Sequence, residues 1–203
     1  KVMAEQRLKG ERKLQKKYNT RKSANSFYKT QVLNFLNPEM QKFISEQEMV
    51  FLSTADAKGE CDASFRTGPK SFVKVLDNNT IIFPEFKGNG VMASMGNIIE
   101  NPQIGLMFID FFDSSIGLHV NGKAEIITER QAGKLVNPID KAKAEKDGKH
   151  KTKLWIKVEV EEAFIHCSKH IPKLKKIDKV MHWGTDDEKL KGGDFFKTKA
   201  RKP

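Results

Sequence analysis

No apolar run in this 203-residue chain approaches the roughly 20 residues that a membrane-spanning helix needs. Its basic N-terminal stretch is not followed by the apolar core of a secretory signal. Cysteine is nearly absent. Cys61 and Cys167 lie far apart and show neither a CxxC pattern nor metal-ligand spacing, so a reducing, cytoplasmic setting is expected, with no zinc cluster. GxSxG, Walker and HExxH signatures are all missing, and with them the usual marks of hydrolases, nucleotide-binding kinases and metalloproteases. His166 and His170 stand four apart at a strand end with no third ligand nearby; no metal site is expected there.

What the chain has in quantity is positive charge, +11 in all, with 14 Phe to build a core from a lean 38% hydrophobic content. The charge is uneven: residues 1–30 carry net +8, residues 141–153 net +4 and residues 168–203 net +6, leaving the remainder at −7. Basic ends of this kind support weak, salt-dependent contact with polyanions. A nucleic-acid reader would instead place its charge on one face of the folded domain. The length suits one well-buried domain with extensions. Three parts are expected: a basic helical arm over residues 1–36, a β-rich domain over 37–171 and a basic tail over 172–203.

Within the middle part, Asn37 as N-cap and Pro38 at the first helical position predict a helix over Pro38 to Gln47. Met49 to Thr54 and Glu60 to Arg66 read as a hairpin around Ala57-Lys58-Gly59, with Asp62, Ser64 and Arg66 sharing one side. Phe72 to Leu76, Thr80 to Phe83 and Gln103 to Ile109 are Val-, Ile- and Phe-rich and read as further strands. Asp77-Asn78-Asn79 joins the first two of these. Ile116 to Ile127 is a long strand with a possible bulge at Asn121-Gly122, and Leu154 to His166 has the clearest alternation of all. Between Phe83 and Gln103, the Lys87-Gly88-Asn89-Gly90 loop runs into a helix that puts Val91, Met95 and Ile98 on one face. Glycines leading into a helix start suit an anion such as a phosphate. They equally serve a tight strand-to-helix turn.

The succession SFVKVLDNNTIIFPEFKGNG, MASMGNIIENP, IGLMFID and LHVNGKAEII resembles the pyridoxamine 5'-phosphate oxidase-related family of flavin-binding split β-barrels. More narrowly, it is similar to the branch with a Gly-Asn-Gly loop and a Ser-x-x-Asn-Ile helix, and the likeness runs from about Gln41 to about Leu174. It implies a mainly β fold with flanking helices, a six-stranded antiparallel split β-barrel. It also implies a homodimer with flavin mononucleotide (FMN) at the subunit interface and an oxidoreductase acting on a small molecule. The cofactor-binding positions it implies are the strand Phe72, Val73 and Lys74, the strand end Phe83-Pro84, and the loop and helix positions Gly88, Asn89, Gly90, Ser94 and Asn97. The parent oxidase has an Arg-Lys pair where this chain has Ala93-Ser94; Arg66, Lys70 and Lys87 are the candidates to supply the missing charge to the phosphate. Relatives of the same fold bind a deazaflavin, haem or a linear tetrapyrrole, and these remain alternatives to FMN. No catalytic side chain is assigned, since a flavin performs its own electron chemistry. The Lys-rich tail does not match the substrate-binding end of the true oxidase.

Overall fold

A computed structural model describes residues 9–86, 88, 90–136, 154–182 and 187–198. The basic loop expected over Asn137 to Thr152, the Trp183-Gly184 pair, and Lys87 and Asn89 of the candidate loop lie outside the described residues.

Helices α1 (Lys9–Lys17) and α2 (Arg21–Thr30) open the described chain. Their apolar faces are thin, so polar contacts join them: the Tyr28 hydroxyl donates to Glu11 at 2.7 Å, and Gln15 donates to Tyr28 at 3.0 Å. Strand β1 (Val32–Leu33) follows, then α3 (Pro38–Glu46). Asn37 caps α3 by accepting from the Met40 amide, as the sequence predicts, and Ile44 faces inward with Met40 and Phe43 beside it.

The remaining elements are β2 (Met49–Ala55), β3 (Cys61–Thr67), β4 (Lys74–Val75), β5 (Thr80–Glu85), α4 (Ala93–Glu100), β6 (Gln103–Ile109), β7 (Gly117–Thr128), α5 (Glu129–Ala132) and β8 (Leu154–His166). Six of the strands have six or more residues. All eight strands form one antiparallel sheet, in the order β3-β2-β6-β7-β8-β5-β4 with β1 paired to β8 off that path. The fold is the expected mainly β one with flanking helices. The path stays open, as a split barrel does, with β3 at one end and β4–β5 at the other.

Alternation along the strands explains the layers. Leu52, Leu106, Val120 and Ala163 face each other across β2, β6, β7 and β8 and are all buried in the main core. Trp155 faces the other way, into a small cluster with Ile82, Ile127, Ala132 and Val136 beneath α5. Thr128 and Gln131 close a reciprocal capping box at the start of α5. The expected bulge is present: Asn121 pairs with Glu162 but Gly122 with Val160, so Glu161 is the extra residue on β8. Pro84 lies within β5, opposite Trp155. Since β4 reaches only Ile81 and Ile82, the outer edge of β5 is open at Pro84, where a missing N–H interrupts no ladder. No helix among the described residues is long and apolar enough to cross a membrane.

The β6–β7 loop is organised by one carboxylate. Asp110 accepts from the amides of Phe112, Asp113 and Ser114 and from the Ser114 hydroxyl, at 2.7–3.0 Å. Burial works against its ionisation, yet the Ser114, Asp113 and Phe112 bonds outweigh it and hold the carboxyl at about 2, below its ordinary 3.8. A depressed carboxyl stabilises the fold above its unfolded value, and this contribution is lost as pH falls towards the folded value. Asp110→Ala is therefore expected to cost about 1–3 kcal/mol at neutral pH. Thermal melts should show the gap between variant and parent closing between about pH 4 and pH 2.

Candidate functional site

The two ends of the open sheet meet through side chains. Alternation on β3 leaves Cys61, Ala63 and Phe65 exposed and turns Asp62, Ser64 and Arg66 inward. Arg66 donates from Nε and Nη2 to both carboxylate oxygens of Glu85 on β5, at 2.8 and 3.0 Å, and from Nη1 to the Phe65 carbonyl at 3.1 Å. The side chains of this pair are only 18% and 7% exposed. A planar fork matched to a carboxylate makes it a strong, directional bridge across the split.

Helix α4 lies over the same gap. Ser94, 4% exposed, donates its single hydroxyl proton to Asp62 at 2.7 Å. The Ser64 hydroxyl, 2.9 Å from that of Ser94, must then be the donor between the two serines. Arg66 Nη2 is 3.5 Å from the Ser94 oxygen. One turn later Asn97 donates to the buried Thr54 hydroxyl at 3.1 Å. Thus β3, β5 and α4 are joined by a closed set of polar side chains.

Among the described residues of the loop before α4, Gly88 (φ 55°), Gly90 (φ 83°) and Met92 (φ 56°) are left-handed. Met92 in that conformation delays the helix to Ala93. Val91, expected on the inward face, is therefore 72% exposed, whereas Met95 and Ile98 are buried as predicted.

The turn into β4 is built equally tightly. At Gly68 an added Cβ would lie 2.4 Å from the Phe72 Cβ and 2.5 Å from its Cγ. Phe72 folds back over this glycine, its amide bonding to the Pro69 carbonyl at 2.9 Å. Ser71, with φ 65°, donates its hydroxyl to the Ser45 carbonyl and so ties the turn to α3. Only Lys74–Val75 of the expected Phe72–Leu76 strand pairs, because this turn consumes the residues before it. Phe72, Val73 and Phe83 are core residues and Pro84 is buried, so the side chains of all four are spent on packing. Lys70 is exposed and Lys74 half-buried opposite Ile82.

Residues 36–167, well over half of the chain, match the family model described as pyridoxamine 5'-phosphate oxidase. The chain belongs to that family. Among solved structures it is similar to HupZ from Group A Streptococcus, at 26% identity over 69% of this chain and 99% of that one, with a TM-score of 0.46. It is also similar to HutZ, the heme storage protein from Vibrio cholerae, at 19% identity over 64% and 94%, with a TM-score of 0.46. General Stress Protein 26 from Bacillus anthracis matches at 16% over 61% and 88%, with a TM-score of 0.41. No curated protein matches.

A flavin makes two demands on such a site, and the described candidates that the fold brings together fit one of them. The ring needs backbone hydrogen-bonding groups along a strand edge; β4 ends the sheet path and leaves one edge without a strand partner among the described residues. The phosphate needs uncommitted donors. Arg66 and Ser94, the two candidates brought together, each already hold a carboxylate, so they do not fit a phosphate. Sequence reasoning missed those carboxylates, Asp62 and Glu85. Asp62 shares the inward alternation of Ser64 and Arg66, and that signal was available.

Proposed function

We propose that this member of the family is a flavin-dependent oxidoreductase that acts on a small molecule as a homodimer. The observation supporting the reading is the place of β4 at the end of the sheet path among the described residues, with an approach turn anchored by Phe72, Val73 and the Ser71–Ser45 bond. It offers fixed backbone groups to a flat heterocycle. FMN is the form that the family resemblance implies, and the flavin supplies the electron chemistry when bound. The chain's own part is to hold the ring against β4 and exclude water from it.

Self-association is supported by the sheet's outer face. Phe65, Phe51, Met107, His119 and Phe164 are register partners in a single row across β3, β2, β6, β7 and β8. Phe51 and Phe65 lie with ring centroids 5.0 Å apart, and His119 stacks on Phe164 at 4.7 Å. Burial, and then the neighbouring His166, keep the His119 ring below its ordinary histidine value, so it joins this row as a neutral aromatic at pH 7. Phe27 of α2 covers the Phe164 end, while Phe65 at the other end is 46% exposed. A half-exposed aromatic row suits a second copy of the chain. The exposed free thiols of Cys61 and Cys167 fit a reducing cytoplasm, and the basic ends fit weak polyanion contact.

The test is a visible absorption spectrum of the protein with flavin after removal of free cofactor, followed by anaerobic reduction and readmission of air. A flavin band that bleaches and returns is expected. A protein that retains no flavin contradicts the proposal.

A further inference from the structure

We infer that the polar side chains joining β3, β5 and α4 give the terminal phosphate of FMN no advantage, so that riboflavin binds as well as FMN; this rests on the flavin reading above. Among the described residues there, the start of α4 and the Arg66 guanidinium attract an anion, and each is already matched to a carboxylate of the chain. Glu85 takes both forks of Arg66, and Asp62 takes the hydroxyl proton of Ser94 in the first turn of α4. Together Asp62, Glu85 and Arg66 carry one net negative charge, with Glu85 and Ser94 shielded from water. A phosphate dianion brought against them meets two carboxylates where screening is weak. Lys70, on the turn into β4, is exposed, and its attraction for an anion is spent largely on solvent. A ribityl hydroxyl meets no such opposition. It donates to a carboxylate such as Asp62, which keeps lone pairs to accept it, so it fits the same groups without new charge.

The test titrates the full chain with riboflavin and, separately, with FMN, following flavin fluorescence at low ionic strength. Riboflavin binding as tightly as FMN, or within threefold of it, is expected; FMN binding more than threefold tighter overturns the inference and leaves the flavin reading standing. Retention of neither flavin overturns both. Asp62→Asn and Glu85→Gln, each confirmed folded by circular dichroism, remove one negative charge while keeping the side chain's shape. At least one is expected to shift the ratio of affinities tenfold or more towards FMN. A ratio unmoved in both variants overturns the inference.

Discussion

Gly122→Ala is expected to unfold most of the protein at ambient temperature. An alanine Cβ at this position would lie 2.0 Å from the Glu159 carbonyl oxygen and 3.0 Å from its carbon. Both are backbone atoms, so no rotamer change relieves the clash. Neither strand can retreat, because β6 holds β7 from Gly117 to Lys123 and β5 holds β8 from Leu154 to Glu159. The close approach arises where Glu161 bulges out of β8 and the strands tighten around the missing side chain. Loss of about 4 kcal/mol or more is expected, against a typical total of about 5–15 kcal/mol. Gly96→Ala is the contrasting control. Nothing lies within 4 Å of its added Cβ on α4, and a helical alanine there is expected to gain about 0.5–1 kcal/mol. Denaturant titration of both variants checks the pair, and similar midpoints would refute the packing argument.

Arg66→Ala should be nearly as damaging, for an electrostatic reason. Glu85 is 7% exposed, and both of its oxygens are engaged by Arg66. Removing the guanidinium leaves a buried carboxylate without its counter-charge, which costs about 3–5 kcal/mol. Replacing the pair with apolar residues of similar volume, Arg66→Met with Glu85→Leu, should recover most of that loss. A double variant as unstable as the single one would show that the bridge holds the split ends of the sheet together by its own attraction. Recovery would show that filling the gap is enough.

The long elements were legible in the sequence because their periodicity is long. Leu154–His166 alternates over 13 residues, and its limits are the predicted ones. Asn37-Pro38 announced α3 by cap chemistry alone. What the sequence could not show was made by tertiary contact. Val32–Leu33 is a strand only because Phe164 and Ala163 lie beside it, and two residues display no period. Val91 looked helical by spacing, but the left-handed Met92 stands between it and α4. At the site, alternation put Asp62, Ser64 and Arg66 on one side of β3, and glycines running into a helix start suggested an anion. The partner of Arg66 proved to be Glu85, 19 residues away on the opposite end of the sheet, and no local pattern links the two.

The most direct measurement is sedimentation of the flavin-loaded protein, with absorbance recorded at both a protein and a flavin wavelength. The account predicts one boundary visible at both, with a mass of twice the 23.1 kDa chain. Flavin left behind at the meniscus while the protein sediments would contradict it.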